Sequence, residues 1–115
     1  MAITIVQTLD IIEALENFLD RKRPPVEMRE EVDLTYEIDG KNVIVFERRC
    51  LLNNPEEIIE IPISKCTYIM SKDIWKIFWY RADGKWQIYL PLPYIQSLDE
   101  YVNVLEEDQY GCFFG

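Results

Sequence analysis

The sequence predicts an α+β fold: an N-terminal helix, a five-stranded antiparallel meander and a C-terminal helix, with both helices on one face of the sheet. Three observations carry this expectation. Apolar residues recur at helical spacing ahead of Pro24-Pro25, alternate with polar residues from Val32 onward, and return to helical spacing after Ser97-x-x-Glu100. The alternating runs are separated by short turn pairs such as Asp39-Gly40 and Asp83-Gly84, which join neighbouring strands as hairpins.

Thr4 and Gln7 have the spacing of a capping box, and Ile5, Leu9, Ile12, Leu15 and Leu19 then follow one helical row. Arg21, Lys22 and Arg23 complement the negative end of the helix dipole, and Pro24-Pro25 stops a helix over residues 4–22. Val32, Leu34, Tyr36 and Ile38 alternate with Asp33, Thr35, Glu37 and Asp39, a strand that turns at Asp39-Gly40 into a second over residues 41–49. Asn54 as cap and Pro55 at the first helical position predict a single helical turn over residues 54–57. Pro62 punctuates before a third strand at residues 63–71. Lys72-Asp73 then leads to a fourth at 74–82 and Asp83-Gly84 to a fifth at 85–90. Pro91 and Pro93 end the sheet, and Leu98, Tyr101, Val102 and Leu105 mark a second helix over residues 98–107. Its end carries Glu106, Glu107 and Asp108, the wrong sign for the dipole. The stretch from Tyr110 to Gly115 is apolar enough to pack back on the domain.

A chain of 115 residues is expected to form one domain and to remove roughly two-thirds of its surface from water. It contains no histidine, which excludes Ser-His-Asp and Cys-His catalysis and the usual zinc sites. Cys50, Cys66 and Cys112 are odd in number and widely spaced, so reduced thiols in a cytoplasmic protein fit better than a disulfide framework. No apolar run reaches the ~20 residues that span a bilayer, and Met1–Asp10 lacks the pattern of a secretory signal. No glycine-rich phosphate loop or calcium loop is present, and the acids at 106–108 read as a solvated helix end, so no catalytic residue, metal or cofactor is assigned.

The stretch WKIFWYRADGKWQIYL, Trp75 to Leu90, holds all three tryptophans and is net basic in a chain of formal charge −9. If its hairpins close with two-residue loops, Arg81 opposes Trp86, Trp79 opposes Ile88 and Tyr68 opposes Ile77. Cys66, Tyr68, Met70, Trp75, Ile77, Trp79, Trp86, Ile88 and Leu90 then face the core with Val32, Leu34, Tyr36, Ile38, Val43 and Val45, and Arg81 stacks on Trp86. The outer face receives Lys65, Thr67, Ile69, Lys76, Phe78, Tyr80, Lys85, Gln87 and Tyr89, with Ile44 and Phe46. It is more aromatic than contact with water requires. Either the C-terminal tail or a second subunit covers it, or it is a binding platform formed by Lys65, Lys76, Phe78, Tyr80, Lys85, Gln87 and Tyr89. The leading expectation is a non-enzymatic module for a protein partner, a homodimer included. Single-stranded nucleic acid is the alternative, since exposed rings flanked by lysines stack bases, with the pI near 4.4 against it. An enzyme using carboxylates alone is the least favoured class.

Several stretches carry a family likeness: Arg23-Pro24, Phe46-Glu47-Arg48, residues 65–68, the Trp79-x-Arg81-Ala82-Asp83 core of residues 75–86, and the ending Asp108-Gln109-Tyr110-Gly111-Cys112-Phe113-Phe114-Gly115. On them the chain resembles a family of small bacterial proteins known as domain of unknown function 3024. It departs from the family pattern at Gln87, where a histidine is common, and at Gly84, where a bulky apolar residue is. The resemblance implies no activity. It implies that Trp79, Arg81, Asp83 and Trp86 form a structural cluster with the tail, Arg81 and Asp83 pinning the tail's carboxylate or backbone.

Overall fold

The computed structural model describes residues 3–115. Helix α1 spans Ile5–Lys22 and starts at the expected capping box. The Gln7 N–H donates to Thr4 Oγ1 at 3.1 Å, and the Thr4 N–H donates to Gln7 Oε1 at 2.9 Å. A 3-10 turn at Val26–Met28 leads into strands β1 (Val32–Asp39), β2 (Asn42–Leu51), β3 (Asn54–Ile69), β4 (Ile74–Tyr80), β5 (Trp86–Ile88) and β6 (Tyr94–Ile95), and helix α2 (Leu98–Glu107) follows. The antiparallel sheet runs in meander order β1-β2-β3-β4-β5, with β6 also paired to β4. The chain is α+β, with both helices packed on one face.

Four local expectations are corrected. Residues 54–57 are strand rather than a helical turn, because β3 runs on to pair Ile58 with Cys50 and Asn54 with Leu51. Pro62 lies inside β3 at a register shift: Val45 pairs with Ser64 but Phe46 with Pro62, so a bulge accommodates the residue that cannot donate. The β1–β2 turn is residues 40–41, since Asp39 pairs with Asn42. The sheet also does not end at Pro91: the chain leaves β4 over residues 90–93, and its contact is kept by Ile77 N–H donating to the Pro93 carbonyl at 2.9 Å before β6 resumes.

The buried side of α1 is Ile11, Ala14, Leu15, Phe18 and Leu19, while Ile5 and Leu9 are 81% and 60% exposed. Only Leu15 and Leu19 of the expected row reach the core. The small Ala14 and the large Phe18 set the helix on the sheet, and this turns Ile12 to the groove beside Tyr36 and Ile38. Strand residues Leu34, Val43, Val45, Cys66 and Ile77 meet Tyr101, Val102 and Leu105 of α2 in the same core. The buried Tyr101 hydroxyl has no hydrogen-bond partner among the described residues, and the buried Ser64 hydroxyl donates to the Phe78 carbonyl at 2.8 Å.

Ion pairs tie the ends together. Arg21 in the last turn of α1 meets Glu106 in the last turn of α2 at 2.6 Å, which gives the unfavourably placed acid a partner. Arg23 donates to both carboxylate oxygens of Asp33, at 2.9 and 2.6 Å, and this bidentate bond holds Asp33 below the usual carboxylate range.

The tail packs on the helix side. Asp108 ends α2 in the left-handed region at φ 40°, and its two carboxylate oxygens accept the N–H groups of Phe113 at 3.0 Å and Phe114 at 2.8 Å. That aims Phe113 at Tyr89 and Phe114 at Phe18, with ring centroids 5.0 and 6.4 Å apart. The clamp on the tail is therefore Asp108, and Arg81 instead pairs with Asp83 at 3.3 Å. Asp108→Asn keeps a side chain that tolerates the left-handed backbone and removes one acceptor and the charge. It is expected to lower stability by about 1.5–3 kcal/mol, the range for a hydrogen bond to a charged group, with a matching drop in the urea midpoint.

Candidate functional site

The outer face of the sheet depends on how β4 meets β5. Gly84 N–H donates to the Arg81 carbonyl and Arg81 N–H donates to the Lys85 carbonyl, both at 2.9 Å, so the loop has three residues, 82–84. Gly84 sits at φ +81°, the left-handed position that closes such a loop. An Asp83 carboxylate oxygen accepts the Lys85 N–H at 3.1 Å and steadies the turn. Trp79 then pairs with Gln87, Tyr80 with Trp86 and Phe78 with Ile88.

One extra loop residue shifts the register by one and turns β5 over. Tyr89, expected outside, is buried at 3% exposure against Phe113. Gln87 follows it to the core side opposite Trp79, and Lys85 stays exposed at the turn. Trp86 and Ile88, expected in the core, lie on the outer face, and Leu90 is 68% exposed. The expected Arg81–Trp86 stack is replaced by Lys65, whose ammonium is 4.8 Å from the Trp86 ring. The β3–β4 loop is also longer than expected, residues 70–73 with Asp73 at φ 51°. Its shift of two keeps the parity, so Cys66, Tyr68, Trp75, Ile77 and Trp79 stay on the core side while Met70 joins the loop. Trp79, Arg81, Asp83 and Trp86 thus divide between the two faces and the turn and do not form one cluster.

The outer face that results is read in rows across the strands: Asp39–Asn42–Thr67–Lys76, then Glu37–Ile44–Lys65–Phe78–Ile88, then Thr35–Phe46–Pro62, with Tyr80–Trp86 at its far side. Ile44, Phe46, Phe78, Tyr80, Trp86 and Ile88 are all half-buried, and neither helix nor the tail packs over them. Tyr80 and Trp86 meet edge to face at 5.0 Å. Lys65 is centred between two rings, its ammonium 4.7 Å from Phe78 as well, and Lys76 approaches Phe78 at 5.2 Å. Partial burial lowers the Lys65 pKa. Among the described residues every ion pair is made by an arginine, and neither lysine has a carboxylate within 4.0 Å. Chemically, the face offers apolar area with two amines that lack a counter-charge. Sequence reasoning missed Trp86 and Ile88; the signal for them was the third loop residue.

Other features carry less chemistry. A cleft of about 450 Å³ on the helix side is lined by Asp10, Glu13, Asp73 and Asp99 with Gln7 and Asn17. Among the described residues no group of three or more His, Cys, Asp or Glu side chains could hold a metal. Burial pushes the thiols of Cys66 and Cys112 up, away from the reactive thiolate. No helix among the described residues is long and apolar enough to cross a membrane.

An α+β meander with one helix-covered face and one open aromatic face is the class of protein the geometry defines. The chain belongs to the family described as domain of unknown function DUF3024, whose pattern it matches over residues 4–115. No curated protein and no solved structure matches it.

Replacing Gly84 tests the turn that sets this face. An added Cβ would meet only the Tyr80 hydroxyl, at 3.5 Å, so the effect of Gly84→Ala is conformational. It is expected to cost about 1–2 kcal/mol by urea denaturation, the price of a left-handed L-residue, with Gly84→Asn less damaging.

Proposed function

We propose that this chain is a non-enzymatic binding module whose working surface is the outer face of its sheet, and that its partner is a polypeptide. The observation that carries the reading is the half-buried cluster Phe46, Phe78, Tyr80 and Trp86 around Lys65 and Lys76, left open on the side away from both helices. Apolar area of this kind gains by being covered, and aromatic side chains dominate the energetics of protein contacts. The lack of histidine and the burial of the Cys66 thiol support binding over catalysis. Three free thiols suit a reducing, cytoplasmic setting.

Single-stranded nucleic acid is the second reading, favoured by two amines without carboxylate partners beside half-buried rings. Two features weigh against it. The ammonium groups already lie on the ring faces a base would use, and Glu37 and Asp39 share the surface with them. Tagged wild-type protein and Phe78→Glu should be used as parallel baits in extracts of cells that also express the untagged chain. The variant points outward and should melt within a few degrees of wild type, yet lose the polypeptides that wild type retains, untagged copies included. Identical retained sets would remove the outer face as the working surface. A labelled single-stranded RNA should show no anisotropy rise at about 150 mM salt, where long-range attraction is screened.

A further inference from the structure

The outer face has a charge order that selects a partner, and the inference here rests on the reading of that face as a binding surface. On β1 the outward side chains are Thr35, Glu37 and Asp39, the last two exposed. Level with Glu37 and Asp39 the outward charges of β3 and β4 are Lys65 and Lys76, and β2 between them presents Asn42 and Ile44, with Phe46 one row further on. Two of the rows therefore run from an acid at β1 to a base at β3 or β4, and the third, Thr35–Phe46–Pro62, carries no charge. Asp39 and Lys76 end the same row, and Glu37 shares the next row with Lys65.

We propose that the partner is a second copy of this chain, packed face to face about a two-fold axis that runs along the strands near the β2–β3 boundary. Rotation about that axis reverses the order of the strands and keeps each row level. β1 of one copy then lies over β4 of the other, and β2 over β3. Asp39 comes over Lys76 of the second copy, and Glu37 over Phe78 with the lysines beside it. Phe46 comes over Pro62 at the apolar centre, and Ile44 over the aliphatic stem of Lys65. Every contact occurs twice, as an isologous interface requires. The other in-plane two-fold, across the strands, stacks β1 on β1 and sets acid against acid and lysine against lysine, so the charge order picks one axis of the two. Sheet packing at about 10 Å leaves room for the half-buried rings to interdigitate.

Charge reversal tests this, because Asp39 and Lys76 stand three strands apart in one chain, roughly 14 Å at ~4.8 Å per strand, and do not touch within it. Sedimentation equilibrium across protein concentration should give a dimer for the wild type. Lys76→Glu and Asp39→Lys should each weaken the dimer at least tenfold, roughly the least expected of like charges brought together. The double variant should return to within about threefold of wild type, a recovery that loss of folding cannot mimic. A monomer at every concentration would overturn the proposal, as would a dimer indifferent to Lys76→Glu, or single variants that the double fails to rescue. RNA binding abolished by Lys76→Glu would overturn it in favour of nucleic acid. A monomeric wild type that still loses a retained polypeptide on Phe78→Glu would refute the dimer alone and leave the binding face standing.

Discussion

The constraint on which this structure depends is the register between β4 and β5, held by a three-residue loop closed at Gly84. A glycine at φ +81° lets Arg81 and Lys85 exchange a backbone hydrogen bond around the loop. From that bond the side-chain alternation settles both faces at once. Tyr89 points inward and becomes the surface on which Phe113 of the tail rests. Trp86 points outward, stacks edge to face with Tyr80 and receives the Lys65 ammonium. The tail's position and the outer face's composition therefore share one cause.

Much of the architecture was legible in the sequence. The caps at Thr4 and Ser97, the order of the strands and the placement of Leu34, Val43, Val45, Cys66 and Ile77 in the core follow from periodicity and capping chemistry. What was not legible has physical reasons. Asp83-Gly84 suits both a two-residue and a three-residue loop, and the two choices differ by one residue, which inverts a strand. An error of two at the β3–β4 loop left every face intact. Asn54-Pro55 has helix-start chemistry, but the partner strand beside it overrides local preference. Asp108 looked like an acid at the wrong end of a helix. Its role as the acceptor for two tail amides needs the left-handed turn that brings the chain back, and sequence spacing alone does not show that. Of the candidate surface, Lys65, Lys76, Phe78 and Tyr80 were found from sequence. Trp86 and Ile88 were exchanged with Gln87 and Tyr89 by the slipped register.

On the helix side, arginine pairs with carboxylate at Arg21–Glu106 and Arg23–Asp33, and the tail is sealed by Asp108. On the open side the basic groups rest on rings. A lysine held by aromatic rings keeps its charge available and its position fixed, so it can be matched by a partner's carboxylate without reordering a long side chain. The same sheet supplies carboxylates of that kind along its β1 edge, in register with the lysines.

The most direct measurement is the pattern of cross-strand nuclear Overhauser effects between the backbones of β4 and β5. Trp79 is expected opposite Gln87 and Tyr80 opposite Trp86. Contacts placing Trp79 opposite Ile88 and Arg81 opposite Trp86 would contradict this, because they would return Trp86 to the core, bring Tyr89 outside and dissolve the face described here.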